Sequence, residues 1–374
     1  MSVQISETNQ LLKSIGDQFV IYGDYVSGQA YGSGHINDTY CVTYNQSGTS
    51  VKYLFQRVNH NLFKDVPGLM SNVSRICEHM QTVLKKKGCT DASRRSLSLI
   101  KTRAGLNFLE HQQNYWRIYL FIEDATGYDI VENENQAYEA AKAFGEFQKC
   151  LVELPGDRLV ETIPDFHNSR KRFKALETAL ADDTQDRAKA CMPEIEWALE
   201  NKGLADALLD LFEKGLIPER VTHNDTKLNN VLINNQSQKA ICVIDLDTLM
   251  PGLALYDFGD LVRTSTSPAA EDEKDLNKVK MQIHFFEALI KGYLESAGGF
   301  LNEHEINNLP IAGMTITYTI GLRFLTDFLQ GDTYFKTSHA NHNLERCRTQ
   351  FKLVQSMQEQ IQEMQHCVKK FTAR

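Results

Sequence analysis

One stretch constrains this chain more than any other: Val221-Thr222-His223-Asn224-Asp225-Thr226-Lys227-Leu228-Asn229-Asn230. Its spacing is H-x-D-x-K-x-x-N, and phosphoryl transfer from ATP explains that spacing. An Asp must accept a hydrogen bond from the attacking hydroxyl, and an Asn five residues on must reach back to a magnesium ion. Those roles fall to Asp225 and Asn230, and Lys227 can neutralise charge on the transferring group. His223 fits as a brace for the loop. Beyond Asn230, Val231-Leu232-Ile233, a polar turn and Ala240-Ile241-Cys242-Val243-Ile244-Asp245 read as strand, turn, strand. The hairpin ends on Asp245, a second carboxylate that can return to the same metal. An isolated H-x-D would be a polar turn; the added Lys227, Asn230, hairpin and Asp245 argue for chemistry.

The 374 residues are enough for two lobes or domains. A formal charge of −8 argues against a nucleic-acid binder. The cysteines are scattered, with no C-x-x-C pair at zinc-ligand spacing, which suits a reducing compartment. No signal peptide and no membrane-length apolar run is found, so the expectation is a cytoplasmic protein without a membrane partner.

Upstream, residues 7–20 read as an amphipathic helix. Tyr31-Gly32-Ser33-Gly34-His35-Ile36-Asn37-Asp38-Thr39-Tyr40-Cys41-Val42-Thr43-Tyr44 reads as strand, turn, strand. Gly32, Ser33, Gly34 and His35 form a tip able to approach a triphosphate. No helix pattern opens after Gly34, which excludes a Rossmann turn and a P-loop. Lys52–Val58 reads as a third strand, where a kinase-like fold expects a cation on the α- and β-phosphates. Gln56 stands there instead, with Arg57 beside it and Lys52 four residues earlier. A helix over 66–87 follows, whose Glu78 either pairs with a strand cation or stands in solvent. Leu97–Ile100 and Tyr115–Glu123 complete the sheet, and the backbone of Phe121, Ile122 and Glu123 is the expected adenine contact. From residue 134 the pattern is helical, over 134–152, 170–182, 192–212, 271–297, 303–330 and 343–372.

Asp257-Phe258-Gly259 spells the metal-binding tripeptide of protein kinases, yet follows Pro251-Gly252 and not the hairpin. The metal therefore goes to Asp245. Asp257 and Asp260 read as acceptors of backbone hydrogen bonds that stiffen the loop. Asp247 is either a second metal contact or a carboxylate that orients Arg or Lys neighbours.

His223-x-Asp225 with Asn230, Ile244-Asp245 and Tyr256-Asp257-Phe258-Gly259-Asp260 resembles the aminoglycoside phosphotransferase and choline kinase superfamily. Tyr31–Asn37, Arg220–Asn230, Ile244–Gly252, Gly321–Leu325, Gly331–Phe335 and His342–Leu344 resemble more closely the bacterial N-acetylhexosamine 1-kinases, over nearly the whole length. The resemblance implies an α+β, two-lobed protein-kinase-like fold. An antiparallel-sheet N-lobe would cover 1–123 and a larger, mostly helical C-lobe 124–374. It implies ATP and Mg2+ as cofactors, and a small-molecule sugar phosphorylated on its anomeric hydroxyl. Asp225 would bind that hydroxyl, while Arg323 and Tyr334 would hold the sugar. The family also shares the Gln at the strand position. A monomer is expected, with a homodimer open.

Rivals are a choline, aminoglycoside or homoserine kinase, a protein kinase, and a nucleotide-binding module without turnover. Only Trp116 and Trp197 are available for a choline cage. No A-P-E follows Asp245, which argues against a protein kinase.

Overall fold

The computed structural model describes residues 2–32 and 36–372. The chain divides into two compact units. The first takes the residues up to Ala125 together with Leu154–Ile163 and Cys242–Leu249, and the second takes Thr126–Glu153, Pro164–Ile241 and the chain from Met250 on. The chain thus returns twice to the first unit.

The first unit opens with helix α1 (Ser2–Gly16), then strands β1 (Asp24–Ala30), β2 (Asp38–Gln46) and β3 (Thr49–Val58). Helices α2 (Val66–Lys86) and α3 (Ala92–Arg95) precede strands β4 (Leu109–His111) and β5 (Asn114–Leu120). The strands form one antiparallel sheet in the order β1-β2-β3-β5-β4. Strand alternation divides its two faces. Tyr53 and Phe55 of β3 and Trp116 and Ile118 of β5 pack with Leu12, Ile15 and Phe19 from the α1 side. Gln56 and Arg117, paired in register, stand on the opposite face.

Leu97–Ile100 makes one bridge, Leu99 with Tyr119, and not the strand expected. Its edge of β5 is shared: β4 occupies Asn114–Trp116, which leaves only the far end for residues 98–100. Helix α2 starts on an Asp65 cap that accepts from the Gly68 N–H at 2.9 Å. Within it, buried Asn72 ties both returning segments to the unit. Its Nδ2 donates to the Val160 and Leu249 carbonyls (2.8 and 3.0 Å), and its Oδ1 accepts from the Val160 N–H at 3.1 Å.

From the unit boundary the chain runs through β6 (Ala125–Thr126), α4 (Glu134–Leu151), α5 (Ser169–Asp182), α6 (Met192–Glu200) and α7 (Gly203–Glu213). Strand β7 (Arg220–Thr222) leads to the loop and to the hairpin of β8 (Val231–Asn234) and β9 (Ala240–Val243). Then follow β10 (Met250–Gly252), α8 (Ala254–Ser265), α9 (Ile283–Ala297), α10 (Glu303–Asn307), α11 (Leu309–Leu329), α12 (His342–Glu359) and α13 (Ile361–Thr372). Helix α11 is apolar almost all round and buried along its length, as the centre of a helical unit must be.

Three expected helices are each two. The breaks fall at Asn201–Lys202, at Asn308 and at Gln360, and Pro310 sits in the first turn of α11, where its missing N–H costs nothing. The helix expected over 271–297 forms only from Ile283, because the charged run Glu271–Asp275 has no apolar face to bury. Among the described residues no helix is long and apolar enough to cross a membrane.

Candidate active site

The loop from β7 lies wholly in the second unit. Asp257, fully buried at the start of α8, accepts the His223 N–H at 2.9 Å, the Asn224 N–H at 2.7 Å and the Gln148 amide at 2.6 Å. Its carbonyl accepts the Thr226 hydroxyl at 2.5 Å. Burial pushes the Asp257 carboxyl up, and these bonds work against that shift. Asp260 does something else than expected: it pairs with the side chain of Arg263 at 2.7 Å. His223 is buried edge-on between Phe144 and Phe147, and its Nδ1 faces the Asp225 N–H at 3.3 Å.

The Phe258-Gly259 pair that follows Asp257 is packing. Phe258 is buried, and a side chain at Gly259 would meet the Ala312 carbonyl of α11 at 2.4 Å.

Asp225 itself keeps 25% of its side chain exposed, enough to meet a substrate. Its Oδ2 accepts from Asn230 Nδ2 at 2.8 Å and pairs with Lys227 Nζ at 3.0 Å. Burial alone would raise its pKa, but the charges of Lys227 and His223 and these two hydrogen bonds hold the carboxyl below its ordinary value. It is therefore an ionised acceptor at neutral pH. The Asn230 nitrogen is spent on Asp225, on its side chain and on its carbonyl, both at 2.8 Å. Asn230 Oδ1 is then the atom left to face a cation.

Arg323, on α11, has an aromatic surround. Its guanidinium lies 5.0 Å from the Phe166 ring, 5.5 Å from Tyr334 and 5.3 Å from Phe335. It reaches the Tyr334 hydroxyl at 3.3 Å. Among the described residues no carboxylate pairs with it. Burial lowers its pKa to about 10 against the pull of Tyr334, with the charges of Arg172 and Arg263 adding to the depression. His167, which follows Phe166, has a ring nitrogen 2.9 Å from the carbonyl of Asn224, next to Asp225. Buried Asp327 fixes the Tyr334 segment by accepting the N–H groups of Thr333, Tyr334 and Phe335 at 2.9, 2.8 and 3.0 Å. Asp327 escaped the sequence reading, although a carboxylate inside apolar Leu325-Thr326-Asp327-Phe328-Leu329 was a signal.

The nucleotide-side candidates lie in the first unit. Gly32 has φ +81°, which favours glycine, with open space where a side chain would stand. Ser33, Gly34 and His35 lie outside the described residues. Tyr31 meets Phe121 edge-on at 5.3 Å. The Phe121 N–H is taken by the Lys52 carbonyl at 3.2 Å and the Glu123 carbonyl by Arg94 at 2.8 Å. Ile122 is the one of the three with no backbone hydrogen bond among the described residues.

Neither basic neighbour of Gln56 replaces the missing lysine. Lys52 pairs with Glu123 at 3.1 Å and Arg57 pairs with Asp38. Glu78 pairs with Lys101 at 3.7 Å and is 66% exposed, so it turns to solvent. Gln56 instead accepts from Arg117 Nε at 2.9 Å and donates to the Thr39 hydroxyl at 3.2 Å. Arg117 is buried and ion-paired with buried Asp247 at 2.5 Å. Of the two roles open to Asp247, orienting an arginine is the one occupied. Arg117 was legible only as a charge inside apolar Tyr115-Trp116-Arg117-Ile118-Tyr119.

Two residues earlier, Asp245 has left-handed backbone (φ +60°, ψ 63°). A residue other than glycine is held there at a cost of roughly 1–3 kcal/mol, and such outliers concentrate at functional sites. The carboxylate of Asp245 and the amide oxygen of Asn230 are each a hard oxygen donor, the kind of group that magnesium takes from protein.

Residues 27–298 match the model of the phosphotransferase enzyme family, APH. The chain belongs to that family. Solved structures share the fold of this phosphotransferase over its length. A choline kinase from Cryptosporidium parvum is 15% identical, with a TM-score of 0.58 and 98% of this chain and 99% of that one covered. An aminoglycoside phosphotransferase from Alicyclobacillus acidocaldarius is 12% identical, with a TM-score of 0.54 and coverage of 96% and 95%. A spectinomycin phosphotransferase, solved with ADP and spectinomycin, is 14% identical, with a TM-score of 0.53 and coverage of 94% and 98%. The fold is kinase-like, an antiparallel-sheet N-lobe and a helical C-lobe, and the phosphotransferase is an enzyme of kinase type.

Proposed function

We propose that this phosphotransferase transfers the γ-phosphoryl group of ATP to the anomeric hydroxyl of an N-acetylhexosamine, giving the 1-phosphate. The observation that carries the reading is Arg323, a half-buried guanidinium in an aromatic surround without a carboxylate partner among the described residues. A cationic acceptor such as choline or an aminoglycoside would be repelled there, whereas a neutral sugar offers hydroxyl and acetamide oxygens to the guanidinium and ring faces to the aromatics. The choice of N-acetylhexosamine rests on the resemblance of Gly321–Leu325 and Gly331–Phe335 to that family.

In this reading Asp225 orients the sugar hydroxyl and accepts its proton late, since a loose transition state asks little of a base. Lys227 offsets charge on the transferring group, and the backbone of the Gly32 turn stabilises the phosphates. Phe121, Ile122 and Glu123 receive adenine. Asn230 and Asp245 are the magnesium ligands. Magnesium, when bound, neutralises charge on the phosphate oxygens. His223 and Asp257 keep Asp225 in place. The enzyme is proposed to work in the cytoplasm as a monomer.

The test is ATP consumption with magnesium against N-acetylgalactosamine, N-acetylglucosamine, galactose, glucosamine, choline and kanamycin. Selective turnover of the two N-acetylhexosamines is expected. Turnover on choline or kanamycin alone would replace the sugar reading with the other small-molecule kinase reading.

A further inference from the structure

Kinase-fold enzymes fix the α- and β-phosphates with a lysine on the third strand, held by a glutamate of the following helix. Here both members of that pair are absent in function. Gln56 occupies the strand position and is committed to Arg117 and Thr39, while Glu78 of α2 faces solvent with Lys101. One strand over, the same face of the sheet carries Arg117, of which 1% is exposed. A buried guanidinium needs compensation for its lost hydration, and among the described residues it receives three side-chain hydrogen-bond or ion-pair contacts beside the Tyr119 ring at 5.3 Å. They are Gln56 Oε1 at 2.9 Å, the Met70 sulfur of α2 at 3.8 Å, and the Asp247 carboxylate.

Asp247 is the hub. Its second oxygen accepts from Asn37 Nδ2 at 2.7 Å, and Asn37 Oδ1 in turn accepts the Asn59 N–H at 3.0 Å. Asn37 stands at the foot of the glycine-rich turn, just before β2. The Asp247 carbonyl accepts the Thr162 hydroxyl at 2.9 Å. One buried charge pair therefore holds three things in the first unit: the base of the glycine-rich turn, the returning segment, and the left-handed backbone at Asp245 two residues away.

We propose that Arg117 takes over the work of the missing strand lysine as a positioning residue, fixing Asp247 and through it both Asp245 and Asn37 for the binding of the nucleotide phosphates. Too buried to touch phosphate, Arg117 acts through what it holds. The proposal rests on the ATP reading above. Removing one partner of such a pair leaves the other buried and unpaired, and partners that orient metal or phosphate ligands cost roughly 10–100-fold in affinity when lost.

The experiment is calorimetric binding of MgADP to the full chain, without acceptor, for wild type, Arg117→Met, Arg117→Lys, Asp247→Asn and the double variant Gln56→Lys with Arg117→Met. Thermal melts establish the temperature at which each is folded. Arg117→Met and Asp247→Asn should bind MgADP about 10–100-fold more weakly. Arg117→Lys should recover part of the loss, since a lysine keeps the charge but not the fork that serves Gln56 and Asp247 together. The double variant, which restores the strand lysine, should recover more than half of the lost affinity on a logarithmic scale. If Arg117→Met does not fold, Asp247→Asn and Arg117→Lys decide. Folded variants that bind MgADP as tightly as wild type would overturn the role of Arg117 alone. A wild-type protein that binds no MgADP would overturn the ATP reading with it.

Discussion

Replacing Asp257 with Asn changes one atom and should cost both stability and turnover. In the native site Oδ2 accepts the His223 N–H and the Gln148 amide, while Oδ1 accepts the Asn224 N–H. Both oxygens of the carboxylate therefore meet a donor. An Asn amide nitrogen would point a donor at a donor in either orientation. Turning Gln148 over would relieve only its own contact, because the His223 N–H faces the same Oδ2 position. The smaller loss follows when the nitrogen replaces Oδ1, so that only the bond to Asn224 is lost. One charge-assisted hydrogen bond to a buried group is worth about 1.5–3 kcal/mol, and an unsatisfied buried donor remains. Denaturant melts of Asp257→Asn should register a loss in that range. Turnover should fall roughly 10–100-fold, because the bond that goes is the one beside Asp225. Unchanged ATP turnover and a stability within about 0.5 kcal/mol of wild type would refute the reasoning, and with it the view that Asp257 carries the loop.

Three further outcomes follow from the same geometry. Arg323→Ala should raise the KM for the sugar roughly 10–100-fold while the KM for ATP stays put, because the lost hydrogen bonds face the acceptor only; a parallel rise in both would contradict the assignment. His167 is buried neutral, with burial lowering its pKa from 6.5 to about 3, so the unfolded chain takes up a proton that the folded chain refuses. Its contribution to stability is complete above pH 6.5 and lost as pH falls toward 3. His167→Gln should accordingly remove about 2–3 kcal/mol of the acid sensitivity between pH 7 and 4.5, read from urea melts. Gly259→Ala should lower stability by about 1–3 kcal/mol through the clash with the Ala312 carbonyl, yet leave the magnesium dependence of nucleotide binding intact. A changed magnesium dependence would return the metal to the Asp257 tripeptide.

How much of this was legible follows from what each residue answers to. The loop and its hairpin obey local rules, with fixed spacing, alternating strands and a polar turn, so β8 and β9 stand where the pattern puts them. Helix α2 announces itself through apolar spacing. The helix breaks at Asn201, Asn308 and Gln360 interrupt no apolar spacing, and only Gly203 and Pro310 mark two of them locally, so periodicity alone runs through them. The β4 strand is three residues long, below the reach of any alternation argument. Arg117 and Asp327 are the instructive omissions. Each is a charge within an apolar run, and its meaning comes from partners far along the chain: Asp247 for the one, the Thr333–Phe335 N–H groups for the other. A buried charge must be paired, so such residues are worth marking in a sequence before their partners are known.

The central claim is the acceptor atom. Incubation with ATP, magnesium and N-acetylglucosamine or N-acetylgalactosamine, followed by phosphorus NMR of the product, reads it directly. The account predicts phosphate on the anomeric oxygen, formed by wild type and reduced by orders of magnitude in Asp225→Asn, which still binds nucleotide. Phosphate on another oxygen, or full turnover by Asp225→Asn, would contradict it.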